Sequence, residues 1–296
     1  MTFSECYKYA YTRMKEAGIS DARFDAYELS HFVFKLDRGQ LIIRGSESPE
    51  EEDFIKFKEL LNKRLQGVPL QYIIGEWDFY NSSFKVGEGV LIPRPETELL
   101  VDCSIEYLNA LINKYKGEGI DYKPVVYDLC AGSGCVGISI AKRFPEVSVY
   151  EFEKSTDAYS YLRENIKLNE TENVQPVLFD IFKDSGSLKA VSDIPMQADV
   201  IVSNPPYIKS EEINALQKEV QMEPRMALDG GKNGLIFYDA IVKNWMSCLK
   251  KGGLVAVECG EDQSSDIEKL FSTYGAMPFK VRDFAGIYRV VGAKIP

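Results

Sequence analysis

The sequence predicts an α/β protein: a seven-stranded doubly wound sheet preceded by a helical domain, the two joined by a β-hairpin. Three observations predict it. From Pro124 onward, short apolar runs alternate with helical patterns, as strands separated by crossover helices do. Before about Gly67, apolar residues recur at helical spacing instead. Between the two, Gln71 to Ile92 alternates apolar and polar residues around a turn-forming Asn81-Ser-Ser83. The expected division is therefore 1–66 helical, 67–95 a hairpin linker and 96–296 the doubly wound domain.

Taken in order, Asp21 to Leu36 places Phe24, Tyr27, Leu29, Phe32, Val33 and Phe34 on a helix. Ser48-Pro-Glu-Glu51 offers an N-cap serine, a first-turn proline and a capping-box glutamate. Phe54, Phe57, Leu60, Leu61 and Leu65 follow it as one apolar face. Pro93-Arg-Pro-Glu-Thr-Glu98 stops the hairpin and starts a helix that continues from Asp102 to Tyr115. Candidate strands are 125–129, 147–152, 174–178, 199–203, 253–258, 277–282 and 287–292; candidate helices are 136–144, 158–168, 211–220, 237–249 and 264–274. Only a short turn around Ala285-Gly286 joins the last two strands. They must pair antiparallel or lie apart, because a parallel pair needs a long crossover.

Composition narrows the chemistry. The formal net charge is −10, with no basic run beyond Lys250-Lys251, which disfavours a nucleic-acid partner. No apolar stretch reaches the ~20 residues of a membrane span, and the first residues carry no signal pattern. Six cysteines are scattered without paired metal-ligand spacing; reduced thiols in a cytoplasmic protein are the expectation, and no metal. The single histidine, His31, falls in the helical region. Histidine general-base chemistry is not expected.

Val125 to Gly137 reads as strand, glycine loop and helix start, with Cys130, Ala131, Gly132, Ser133 and Gly134 forming the loop. Gly132 and Gly134 permit close approach of a ligand to the backbone, and Gly137 permits close helix–strand packing. The spacing G-x-G-x-x-G admits a nicotinamide cofactor and an oxidoreductase. Asp128 just ahead of the loop argues otherwise, since it repels a pyrophosphate and attracts a sulfonium or ammonium. Glu153, about 20 residues on, suits a ribose diol. Asp180 and Ile181 follow the next strand, where Asp180 can accept from an adenine amine or cap a helix. Together these point to S-adenosyl-L-methionine.

Asn204-Pro-Pro-Tyr207 directly follows the apolar run 199–203. Prolines fix φ and lack an N–H, so the loop can present carbonyls outward. The Asn204 oxygen and the Pro205 carbonyl can accept both N–H bonds of a planar –NH₂ group; Pro206 stiffens the loop, and Tyr207 can stack on that group. Such a grip serves an amide or an amino-base. Without other context, the same run reads equally well as a rigid turn ending a strand.

With these motifs the chain resembles the protein-glutamine methyltransferases that modify peptide-chain release factors. The resemblance rests on residues 67–75, 90–98, 128–135, 202–208, 223–228 and 286–291. The Pro-Arg-Pro-Glu-Thr-Glu segment separates this family from other methyltransferases with Asn-Pro-Pro-Tyr. It implies a helical substrate-docking domain, a Rossmann-like methyltransferase domain and methylation of the glutamine in a Gly-Gly-Gln loop. It also implies that Cys130 to Gly134, Glu153 and Ile181 line the cofactor and that Asn204 to Tyr207 hold the glutamine. Two departures stand out: Cys130-Ala131 replaces a glycine-threonine loop start, and Glu153 replaces an aspartate. The alternatives are an adenine-amine methyltransferase acting on DNA or RNA, a nicotinamide oxidoreductase, and a catalytically silent cofactor-binding module.

Overall fold

The computed structural model describes residues 1–190 and 194–296. The chain divides into two compact units, residues 1–76 with 217–222, and residues 77–216 with 223–296.

The first unit is helical: α1 (Phe3–Glu16), α2 (Ala22–Phe34), α3 (Arg38–Ile43), α4 (Glu51–Leu65) and the single turn α5 (Leu70–Ile74). A reciprocal capping box of Thr2 and Glu5 starts α1. Its Phe3, Cys6, Ala10 and Met14 pack with Ala26, Leu29 and Val33 of α2 and with Phe57 and Leu61 of α4. Arg64 crosses this core to Asp25 at 2.6 Å and also pairs with Glu219. The serine cap expected at Ser48 does not form; α4 starts after Glu50 with no side-chain cap. The extended N-cap position falls on Glu50, two residues beyond Ser48, and Glu51, Glu52 and Asp53 face the helix's positive end instead. His31 is exposed, its ring stacked on Tyr27.

The hairpin is shorter than expected. Strands β1 (Glu76–Phe79) and β2 (Ser82–Lys85) flank Tyr80-Asn81, both with positive φ, as a tight two-residue hairpin turn requires. Gln71–Ile74 is helical, ended by Gly75 in left-handed conformation. Beyond Lys85 the chain runs without regular structure to Arg94.

In the second unit, α6 (Glu98–Gly117) leads to β3 (Val125–Leu129), α7 (Cys135–Arg143), β4 (Ser148–Glu153), α8 (Thr156–Leu168) and β5 (Val174–Leu178). Then follow β6 (Ala198–Ser203), α9 (Ile236–Asn244), β7 (Leu249–Glu258), α10 (Ser264–Thr273), β8 (Met277–Arg282) and β9 (Tyr288–Lys294). The seven-stranded sheet runs β5-β4-β3-β6-β7-β9-β8. Strands β3 to β7 are parallel, and β9 pairs antiparallel with both β7 and β8. One apolar layer holds Tyr127, Phe152, Tyr238, Trp245 and Phe271; the other holds Leu100, Leu108, Val126, Ile138 and Val149.

The helix expected over 211–220 is absent. Short 3-10 turns at Ile213–Ala215 and Val220–Met222 stand there, separated by an extended Leu216. Ile213 packs in the second unit whereas 217–222 belongs to the first, so the helix-like spacing serves two destinations. The expected helix 237–249 ends at Asn244, with a 3-10 turn at Met246–Cys248. Among the described residues no helix is long and apolar enough to cross a membrane.

Candidate active site

The chain builds β3, β4 and β5 outward in one direction, then returns to lay β6 on the other side of β3. Doubly wound sheets bind ligands at such a reversal, beyond the carboxyl ends of the strands. The register brings the two motif loops there together. Leu129 is opposite Phe152 on one side and Ser203 on the other, so the glycine loop and Asn204 leave the sheet side by side. The Ser203 hydroxyl donates to the Leu129 carbonyl at 2.6 Å, tying the two strand ends.

A cavity opens at this point. Its walls include Cys130, Ala131, Gly132 and Ser133 from the loop, Asp128 beneath it, Glu153 at the end of β4, Asp180 and Ile181 after β5, and Asn204 and Pro206 after β6. Gly134, Pro205 and Tyr207 stand outside that lining. The sequence reading missed Leu91, Ile92, Thr97, Met226 and Phe237, which complete the wall. Glu223 binds the Ile92 N–H at 3.0 Å and pairs with Arg94, so two distant motifs, 90–98 and 223–228, close one side together. Each segment carries its own family motif in the sequence, but no local pattern encodes the contact between them.

Backbone donors organise the loop. Glu153 is nearly buried and accepts from Gly132 N–H at 2.8 Å and Ser155 N–H at 2.6 Å. Burial raises its pKa, and these amides pull it back down. Carboxylate oxygens have spare lone pairs, so both can still accept from a diol. Cys130 has φ of 63°, a left-handed conformation that costs a side-chain-bearing residue roughly 1–2 kcal/mol. The cysteine at the loop start is therefore a strained choice.

Asp128 and Glu151 are opposite neighbours on β3 and β4, both essentially inaccessible. Asp128 accepts from the Gly137 N–H at 3.0 Å. Neither Glu151 oxygen has a hydrogen-bond partner of normal geometry among the described residues. Burial raises both carboxyl pKa values, with Glu153 adding to the rise at Asp128 and Asp128 adding to the rise at Glu151. The Gly137 amide favours charge on Asp128, so of the two carboxyls Glu151 keeps its proton to the higher pH. Glu151 also explains two glycines: a Cβ on Gly137 would meet its Oε1 at 2.2 Å, and one on Gly134 its Oε2 at 2.7 Å.

Asp180 does not cap a helix. Its Oδ1 accepts from Phe182 N–H at 3.1 Å in a local turn, and its Oδ2 pairs with Lys154 at 2.9 Å. Phe152, Phe179, Ile181, Phe182 and Phe237 supply apolar surface around it, as a planar heterocycle needs.

The loop after β6 is fixed by side chains. Asn204 Nδ2 donates to Thr97 Oγ1 at 3.1 Å, leaving Oδ1 without a hydrogen-bond partner among the described residues. The Tyr207 hydroxyl donates to Glu258 at 3.2 Å, and Gln263 Nε2 donates to the Tyr207 carbonyl at 2.8 Å. Tyr207 thus holds the loop in place.

A parallel sheet reversed at β3/β6, ended by an antiparallel strand inserted before the edge and bearing a glycine loop and an Asn-Pro-Pro-Tyr turn at the reversal, defines a Rossmann-like methyltransferase. Residues 5–75 match the family model of the PrmC N-terminal domain, and residues 109–257 that of the methyltransferase small domain. A release factor glutamine methyltransferase of Thermodesulfovibrio yellowstonii is 38% identical over 272 residues, 90% of each chain. One from Clostridium botulinum is 34% identical over 290 residues, 96% of each chain. Among solved structures, a methyltransferase from Pyrococcus furiosus superposes with a TM-score of 0.49 at 16% identity, covering 83% of this chain and 98% of that one. The chain belongs to the release factor glutamine methyltransferase family.

Proposed function

We propose that this protein uses S-adenosyl-L-methionine to methylate the side-chain amide nitrogen of the glutamine in the Gly-Gly-Gln loop of peptide-chain release factors, in the cytoplasm. The observation that carries the reading is the Asn204 amide at the cavity wall, its nitrogen engaged by Thr97 and its oxygen left for a ligand. The residues fit the cofactor: two carboxylates, Glu153 and Asp180, stand among aromatic walls, and the loop backbone is free of side chain at Gly132. Glu153 would hold the ribose, Ile181 and its neighbours the adenine, and Asp128 behind the loop would favour a cationic methionyl group. When bound, the cofactor supplies an electrophilic methyl group on a sulfonium and leaves as a neutral thioether.

An amide nitrogen is a weak nucleophile because its lone pair is delocalised into the carbonyl. Asn204 Oδ1 and the Pro205 carbonyl accept its two N–H bonds, aim the nitrogen and favour positive charge developing there. The apolar walls exclude water. Once methylated, the nitrogen would carry a surplus proton that can leave to solvent, so no strong base is required of the protein. The helical unit is the proposed dock for the release factor, whose recognition needs a surface beyond one glutamine, and nucleic acid is not the proposed acceptor.

Transfer of labelled methyl to purified release factor, beside a factor whose Gly-Gly-Gln glutamine is alanine and beside DNA and ribosomal RNA, tests this. Only the wild-type factor should take up label. Equal labelling of the glutamine-free factor refutes the acceptor assignment, and labelled nucleic acid points to the adenine-amine alternative.

A further inference from the structure

We propose that Glu258 is a positioning residue: through the Thr97 hydroxyl it sets which end of the Asn204 amide faces the cavity, and through Tyr207 it fixes the loop bearing that amide. The inference rests on the reading of Asn204 as acceptor for the substrate amide. A primary amide is nearly symmetric in shape but opposite in polarity at its two ends. Something must therefore prevent a half-turn that would present NH₂ to the substrate.

Thr97 accepts from Asn204 Nδ2, so its own hydroxyl proton has to point elsewhere. A charged carboxylate can only accept. Glu258, the last residue of β7, is 2% exposed; its Oε1 takes the Tyr207 proton, and its Oε2 has no partner of normal geometry among the described residues. The Thr97 hydroxyl approaches this carboxylate and favours its charged form. The polarity therefore runs from Asn204 N–H to Thr97 oxygen and from Thr97 O–H to Glu258, leaving Asn204 Oδ1 to the substrate. A neutral donor at 258 can point its hydrogen at Thr97 and reverse the chain.

The groups facing Glu258 are Glu96 and Thr97 before α6, Tyr207, Tyr238 of α9, Cys135 of α7, neighbouring Cys259 and Arg289 of β9. The thiols and phenols are pushed up by burial and stay neutral. Burial and Glu96 raise Glu258 to about 7, against Thr97, Tyr207 and Arg289. The carboxylate is the working form, so turnover falls as pH drops through that value.

The experiment measures kcat against pH at saturating cofactor for wild type, Glu258→Gln, Thr97→Val and the double variant. It also follows the Asn204 side-chain amide by NMR without substrate. Glu258→Gln should lower kcat on the order of 10–100-fold and remove the acid limb, with cofactor affinity unchanged. In the Thr97→Val background it should cost little more, because the two act in one chain. The Asn204 amide signals should move as pH crosses about 7 in wild type and stay still in Glu258→Gln. Wild-type kcat in either single variant, additive losses, or amide signals that ignore both pH and residue 258 overturn the proposal. Should Glu258→Gln not fold, Thr97→Val and the wild-type NMR titration decide it alone. An intact NMR response with no labelling of the release factor overturns the substrate reading and leaves the relay standing.

Discussion

The loop after β3 is held by main-chain N–H groups pointing at buried carboxylates, whereas the loop after β6 is held by side chains reaching in from Thr97, Glu258 and Gln263. The first arrangement tolerates changes of side chain on the loop itself, because its anchors are backbone. The second depends on chemical identity at each link. Damage to the first should therefore appear in cofactor affinity or stability, and damage to the second in turnover.

The largest expected effect is on the side-chain-held loop. Asn204→Ala should lower kcat by ~10²–10³, about 3–4 kcal/mol in the barrier, while calorimetry finds cofactor affinity close to wild type. A comparable loss of cofactor affinity would erase the distinction between the loops. Next, Glu153→Ala should weaken S-adenosylmethionine binding, since charge-assisted hydrogen bonds are worth roughly 1.5–3 kcal/mol each. Turnover at saturating cofactor should change far less. Calorimetry showing unchanged affinity would remove Glu153 from the site.

Gly137→Ala probes the backbone anchors without touching a ligand. Its Cβ would meet Glu151 Oε1 at 2.2 Å and Cδ at 2.9 Å in a fully buried setting, and overpacking of this kind costs typically about 1–3 kcal/mol. A lowered midpoint in urea is the expected result; an unchanged one means that Glu151 can swing aside. The smallest effect concerns pH. Glu151 has a folded pKa raised by burial and by Asp128, so its contribution to stability is complete below the unfolded carboxylate value of about 4.3. It is lost as pH rises from there through the raised folded value. Glu151→Gln should flatten that decline in urea unfolding across pH. An identical slope in wild type and variant would assign the decline to other groups.

Much of the fold was legible because its signals are local. The segments 125–129, 174–178 and 277–282 became strands with the expected ends, since short stretches bounded by turn residues are too short for a helix. The short link at Ala285-Gly286 left an antiparallel pair or separation as the choices, and β8 and β9 pair antiparallel. The failures came from non-local influences. Residues 211–220 carry helical spacing, yet Ile213 and Glu219 belong to different units; a one-dimensional pattern cannot say that its two halves serve different cores. Gln71–Ile74 alternates like a strand but is closed as a helical turn by Gly75.

Within the site, Asn204, Glu153 and the glycine loop stood out because each is tied to the end of an apolar run. Thr97 was legible only as part of a family segment, and Glu258 only as the end of a strand. Glu151 lies within the candidate strand 147–152, where nothing in the sequence sets it apart. Its burial against Asp128 depends on the β3–β4 register, which no local pattern encodes.

The place of β9 between β7 and β8 sets an order of assembly. During synthesis, β7 and β8 exist before the strand that separates them, so the flank of β7 from Leu254 to Glu258 stays open until residues 290–294 arrive. An unpaired strand edge of that kind invites association with other chains. Removing residues 290–294 would take away the Val290, Val291 and Ala293 packing together with the ladders to both neighbouring strands. One short strand, made after both of its neighbours, is what closes the sheet.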